Sequence, residues 1–123
     1  MTVVYHELLP DSYLLILAPG RDGEPTLEIE LVHWLNCARL SGKAAVWVDC
    51  GMLHTLSTEA AGLLWTAHRR LQATGVRLVL VHVAERVRKA LLARAPALEI
   101  SIVPTLLDAA RQQGPRAALG AMA

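Results

Sequence analysis

Two short apolar runs constrain the fold of this chain more than any other feature. Residues 44–50 read AAVWVDC, and residues 76–83 read VRLVLVHV. Continuous apolar runs of this length are typical of strands that are buried on both faces of a parallel sheet. Each run is followed by a segment of helical periodicity, from Ser57 to Thr74 and over residues 84–95. This alternation predicts an α/β fold whose parallel strands are joined by right-handed helical crossovers.

The N-terminal residues predict a β-hairpin that adds an antiparallel edge to the sheet. Residues 3–9 (VVYHELL) and 13–18 (YLLILA) are rich in β-forming residues, and the turn signal Pro10-Asp11-Ser12 separates them. After a glycine-rich loop, a helix is expected from Pro25 to the residues before Gly42, which suits the position just past a helix C-terminus.

The C-terminal part adds one strand (97–103) and one helix (105–113), so the predicted order is ββαβαβαβα. The prediction is a single domain with a mixed, mostly parallel sheet of about five strands and about four helices. It covers residues 1–113 and leaves 114–123 as a flexible tail.

Composition excludes several classes of function. The chain is 54% hydrophobic, yet no apolar run approaches the roughly 18 residues that span a bilayer, and no signal-peptide pattern opens the chain. We therefore expect a cytoplasmic protein that does not insert into membranes and whose two cysteines, Cys37 and Cys50, are reduced. The net charge of +1 argues against nucleic acid as a partner. The basic residues that accumulate late in the chain are expected on solvated helix faces: Arg69, Arg70, Arg77, Arg86, Arg88, Lys89 and Arg94.

No pattern in the sequence favours an enzyme. The five histidines lack the HxH and HxxxH spacings of metal sites, and GxSxG, the P-loop and GxGxxG are all missing. We therefore predict no catalytic residues, no metal and no cofactor. The histidines are expected in structural or surface positions: His6, His33, His54, His68 and His82.

One polar cluster stands out within LHTLSTEAAGLL (53–64). Ser57, Thr58 and Glu59 follow the strand that Asp49 closes, at the carboxyl edge of the sheet where ligands and partners collect. Ser57 suits a helix N-cap, and Glu59 suits the positive end of the helix dipole. From the residues alone, the cluster is either a cap or a binding site, and both interpretations stay open.

The spacing of several residues gives a resemblance to a known family. A strand ends in Asp49 with Gly51 two residues later, Gly62 and Gly75 follow at fixed distances, and Gly20 lies in an upstream loop. From Ala45 to about Ala110 the chain resembles the STAS domain, the fold of anti-sigma-factor antagonists. The family motif D-S-S-G-L-G, laid on without gaps, places its Asp at Ser57, its phospho-acceptor Ser at Thr58, its second Ser at Glu59 and its first Gly at Ala60.

This resemblance implies a regulatory protein that docks a partner through the edge from Thr55 to Leu64. In such antagonists the partner is an anti-sigma factor that is also a serine kinase, so Thr58 is the candidate phospho-acceptor and Ser57 the second candidate. Glu59 and Ala60 depart from the motif, because they place a charge and a side chain where the family keeps small neutral residues. The predicted partner-binding residues are Asp22, Glu24, Leu56, Ser57, Thr58, Glu59, Ala61 and Gly62.

Other interpretations remain beside this one. Some STAS proteins that resemble this chain carry Thr at the acceptor position and act as constitutive adaptor subunits of a lipid-transport ATP-binding-cassette complex. A small phosphate-handling enzyme is the least supported class. Leu56 is expected in a surface binding patch, and Trp65 either in that patch or in the core. The oligomeric state stays open, with a homodimer as one option.

Overall fold

A computed structural model of the protein contains one five-stranded sheet with helices packed on both faces. It describes residues 2–19, 27–94 and 100–112. The strands are β1 (Thr2–Leu8), β2 (Ser12–Ala18), β3 (Ala45–Asp49), β4 (Arg77–Val81) and β5 (Ser101–Val103). The helices are α1 (Leu27–Leu40), α2 (Thr58–Ala73), α3 (Glu85–Arg94) and α4 (Leu106–Gln112).

The strands lie in chain order across the sheet, β1-β2-β3-β4-β5. The β1–β2 pair is antiparallel, with Leu8 opposite Tyr13, and the other three pairs are parallel. The predicted fold class, element order and N-terminal hairpin are therefore confirmed.

The three crossover helices lie on one face of the sheet. Each crossover steps to the next strand in the same direction, so right-handed connections place α1, α2 and α3 on the same side. Buried side chains of these helices join one face of the central strands in the main core, whose largest fully buried members include Leu15, Leu17, Leu31, Leu64, Leu71, Leu78, Leu80 and Leu91. Alternate strand residues such as Leu14, Trp47 and Val79 form a second core under α4, where Ala109 is fully buried.

The helix ends agree with the sequence signals. Gly42 and Gly75 follow α1 and α2 with φ of 76° and 80°, a left-handed conformation that glycine adopts without steric cost. Behind α2, the N–H of Val76 donates to the carbonyl of Leu71 at 2.9 Å, which satisfies a terminal helix acceptor. Pro25 and the predicted tail lie outside the described residues, as does part of the predicted last strand, of which the structure describes Ser101–Val103.

Most of the late basic residues are exposed, but Arg77 has a structural role. Its guanidinium donates to the backbone carbonyl and the side-chain oxygen of Gln112 at 3.1 and 3.0 Å. This contact ties the start of β4 to the end of α4. Arg88 on α3 lies 3.9 Å from Glu85, one turn away on the exposed helix surface.

Candidate functional site

The loop between β3 and α2 is fixed to the sheet at its start. The N–H of Cys50 donates to the carbonyl of Val81 at 2.9 Å, which extends the pairing of β3 with β4 by one residue. The N–H of Leu53 then donates to the carbonyl of Cys50 at 3.0 Å and closes a turn. We refer to residues 50–62, the loop and the first turns of α2, as the β3–α2 edge.

Asp49 connects this loop to the neighbouring strand end. Its Oδ1 accepts the backbone N–H of Gly51 at 2.8 Å, and its Oδ2 lies 3.2 Å from Nδ1 of His82. Because parallel strands end at the same edge, the last residue of β3 meets the first residue after β4. The sequence predicted His82 only as a structural or surface residue, although its place directly after β4 was a signal for this contact with Asp49.

Two backbone features indicate that this connection has a specific geometry. His82 has φ of 55°, in the left-handed region where histidine is enriched relative to most residues with a side chain. A Cβ on Gly51 would lie 3.1 Å from both Asp49 Oδ1 and His82 Cβ, closer than an ordinary van der Waals contact. Glycine is therefore the residue that fits between the two side chains without displacing them.

Ser57 is the N-cap of α2, as predicted. Its φ and ψ of −69° and 157° are extended, and its Oγ accepts the N–H of Ala60 at 3.1 Å. The N–H of Ala61 donates to the carbonyl of Ser57 at 3.0 Å, the first bond of the helix ladder. The cap satisfies one of the free N–H groups at the helix start.

Thr58 and Glu59 are the first two residues of α2, and both are exposed. The Thr58 hydroxyl is therefore accessible at the positive end of a helix, where an added anion is favoured by the dipole. Glu59 already places one negative charge in that turn. The arrangement presents a hydroxyl and a carboxylate side by side at the positive end of the helix.

Two of the predicted partner contacts lie in the core instead. Leu56 is 8% exposed and Ala61 is 1% exposed, and both belong to the main core cluster. They flank the cap at the positions before the N-cap and four residues into the helix, which pack together in a hydrophobic staple. We therefore correct the expectation that the side chains of Leu56 and Ala61 face a partner.

The remaining residues that the sequence singled out lie at positions between the surface and the core, in the core, or outside the described residues. Gly62 is half-buried, and Trp65, which the sequence left between a patch and the core, is half-buried and packed against the core. Ala60 is fully buried, so its methyl group points into the core rather than toward a partner. Asp22 and Glu24 lie outside the described residues.

Met52 belongs to this surface, although no pattern in the sequence predicts it. Its side chain is 52% exposed, whereas the neighbouring Leu53 is 3% exposed and anchors the loop in the core. No periodicity distinguishes the two apolar residues in the sequence, because loop residues follow no regular repeat. Besides Gly51, the exposed residues of the edge are Met52, His54, Thr55, Ser57, Thr58 and Glu59.

The described residues hold no cluster of three or more His, Cys, Asp or Glu side chains suited to a metal ion. None of the described helices is long and apolar enough to cross a membrane. Both cysteines are free, and burial, together with the charge of Asp49, raises the pKa of the Cys50 thiol from 9.0 to about 12. Cys50 is therefore held as a neutral thiol at physiological pH.

Comparison with known families identifies the domain. The model of the STAS domain matches residues 25–109, which is most of the chain. The chain belongs to the STAS domain family. The match includes β3, the β3–α2 edge and all of α2, so the surface described above is part of the family's domain. None of the curated proteins compared gives a significant sequence match.

Solved structures with the same fold include proteins described as anti-sigma factor antagonists. A crystal structure described as a putative anti-sigma factor antagonist from Thermotoga maritima matches with a TM-score of 0.73 at 14% identity, covering 88% of this chain and 92% of that one. SpoIIAA, titled an anti-sigma factor antagonist in its unphosphorylated form, matches with a TM-score of 0.68 at 16% identity over 89% and 97% of the two chains. A variant of RsbS from Moorella thermoacetica gives 0.68 at 14% identity over 87% and 93%. At these identities the matches establish the STAS fold of this chain.

Proposed function

We propose that this STAS domain is a non-catalytic regulatory module that docks a kinase-type anti-sigma factor in the cytoplasm. The observation that carries the proposal is the exposed face of the β3–α2 edge. Six side chains between residues 52 and 59 are exposed there. The buried side chains of Leu53, Leu56 and Ala61 anchor the same segment to the core. A partner meeting this edge finds a surface that is already ordered, so binding costs little conformational entropy.

The second part of the proposal is that Thr58 is the phospho-acceptor. Its hydroxyl is exposed at a helix N-terminus, and a phosphate there adds about −1.5 to −2 charge. The helix dipole stabilises that charge within the protein, while Glu59 repels it. An interface that fits the neutral hydroxyl closely would exclude the phosphate, so modification releases the partner.

Intact-mass analysis tests the switch. The protein is incubated with ATP and a serine-kinase-type anti-sigma factor from the same genome. We expect a mass gain of one phosphoryl group that Thr58→Ala abolishes and Ser57→Ala retains. Binding without a mass gain would remove the switch and leave the docking, and a gain that only Ser57→Ala abolishes would move the acceptor to Ser57.

A charge substitution tests the docking itself. Thr58→Glu places a carboxylate on the proposed interface, and Gln72→Glu places the same group on an exposed position near the other end of α2. We expect the first to weaken binding at least tenfold by calorimetry and the second to leave it unchanged. Equal affinities for the two variants would count against this edge as the interface.

A second candidate function rests on Glu59. This exposed carboxylate gives the edge a permanent charge beside Thr58, which suits a constitutive contact better than a phosphate-controlled one. We propose as the alternative a STAS adaptor subunit of a lipid-transport ATP-binding-cassette complex. In that case the transport ATPase, and not the anti-sigma factor, binds the wild-type protein, and Thr58→Glu weakens that binding without any kinase being involved.

A further inference from the structure

A groove between α1 and α2 lies outside the β3–α2 edge and has no role in the function proposed above. Its volume is about 200 Å³. Its apolar wall includes Leu35, Leu63, Ala67 and Leu71, and polar or charged side chains border it. The residues that line it are Val32, His33, Leu35, Asn36, Arg39, Leu63, Thr66, Ala67, Arg70 and Leu71.

One end of the groove carries two arginines, and the other is lined by Val32, His33 and Leu63. Helices α1 and α2 each return from one parallel strand to the next, so they run in the same direction. Val32 and Leu63 are each the sixth residue of their helices, and Arg39 and Arg70 line the groove seven residues further along. Seven residues of α-helix rise about 10 Å, which sets the distance between the two ends.

The positive charge at the cationic end is not neutralised by the described part of the chain. Arg39 donates to the neutral Oδ1 of Asn36 at 2.8 Å. The ion pairs found among the described residues involve Asp49 with His82 and Glu85 with Arg88, and neither includes Arg39 or Arg70. Two guanidinium groups therefore border the groove outside the ion pairs found among the described residues.

Size and charge together define the ligand. An engineered apolar cavity of about 150 Å³ binds benzene, so a groove somewhat larger than this takes a small apolar group. We propose that this groove binds a medium-chain carboxylate, with its carboxylate between Arg39 and Arg70 and its chain extending toward Val32 and Leu63.

The two arginines also lie in the last turns of their helices, where cations stabilise the helix dipole. That structural role accounts for positive charge at a helix end, and it predicts no effect on ligand affinity. Ligand binding and dipole stabilisation are therefore separated by measuring affinity and melting temperature on the same variants.

The test is a titration of the ¹⁵N-labelled full chain with sodium octanoate, followed by amide chemical shifts. We expect saturable shifts concentrated at 32–39 and 63–71. Affinity should rise about fourfold for each methylene from hexanoate to octanoate and stop rising once the groove is full. Octanol, which has the chain without the charge, should bind about tenfold more weakly. Shifts scattered over the surface, or equal affinity for octanoate and octanol, would overturn the proposal.

Neighbouring arginines provide a matched control. Arg69 and Arg70 are both exposed on α2, but only Arg70 lines the groove. Arg70→Gln should weaken octanoate binding about threefold to fivefold, the effect of one partly exposed charge pair, while Arg69→Gln should not change it. Ala67→Leu fills the groove and should abolish binding at an unchanged melting temperature. Unaltered affinity in both Arg70→Gln and Ala67→Leu would contradict this site.

Discussion

Replacing Ser57 by alanine separates the structural role of the polar cluster from its proposed docking role. The substitution removes the Oγ that accepts the N–H of Ala60 at 3.1 Å. Loss of an N-cap costs about 0.5–2 kcal/mol of unfolding free energy. Ala60 is fully buried, so water reaches its N–H poorly, and we expect about 1–2 kcal/mol for Ser57→Ala.

The size of the chain converts this cost into a melting temperature. With an unfolding entropy of about 2.1 cal/mol/K per residue, 1 kcal/mol corresponds to about 4 °C for a chain of 123 residues. Ser57→Ala should therefore lower the melting temperature by about 4–8 °C. Ser57→Asp keeps a side-chain acceptor and adds a charge that the helix dipole favours, so it should remain within about 0.5 kcal/mol of the wild type.

Thr58→Ala is the matched control one residue further along. The Thr58 side chain is exposed and follows the cap, so its loss should change the unfolding free energy by less than about 0.5 kcal/mol. Urea denaturation followed by circular dichroism measures all three variants. The reasoning is refuted if Ser57→Ala and Thr58→Ala destabilise equally, or if Ser57→Asp is as destabilised as Ser57→Ala.

Three further predictions concern the core, a helix end and pH. Leu64→Ala removes a fully buried side chain and should cost about 2–5 kcal/mol in urea denaturation, whereas Leu107→Ala, at a site 62% exposed, should cost under about 0.5. Gly75→Ala places a side chain at φ of 80° and should cost about 1 kcal/mol; an unchanged midpoint would contradict the strain argument. Burial raises the pKa of the Cys50 thiol from 9.0 to about 12. Below pH 9 the thiol is neutral in both the folded and the unfolded state, and above pH 9 it ionises first in the unfolded state, which lowers the free energy of unfolding. Between pH 8 and pH 11 the free energy of unfolding of Cys50→Ala should therefore fall by about 3 kcal/mol less than that of the wild type. Parallel pH profiles of unfolding free energy for the two proteins would refute this.

The strands and helix ends were predicted correctly because they follow from regular periodicity and local sequence signals. The apolar runs at 44–50 and 76–83 became the buried strands β3 and β4, and the left-handed residues Gly42 and Gly75 lie at the predicted helix ends. These features depend on neighbours in the chain, so local chemistry is enough to place them. Ser57 was predicted as a cap for the same reason.

The sequence did not predict which residues form the exposed site, because this depends on contacts between residues that are distant in the chain. Asp49 contacts His82 because β3 and β4 pair in parallel register, and no local sequence motif predicts that contact. Leu56 and Ala61 were predicted at the surface by their proximity to Thr58, yet the staple around the cap turns both inward. Met52 and Leu53 are adjacent apolar residues in a loop, and only the path of the backbone decides which one is exposed.

Hydrogen exchange on the wild-type complex tests most directly whether the β3–α2 edge is the docking surface. The free protein and its complex with the anti-sigma factor are compared amide by amide, with no variant whose folding needs to be checked. The account predicts added protection concentrated in residues 50–62, around Thr58. Added protection on α4 or along β1, with the β3–α2 edge exchanging as in the free protein, would contradict it.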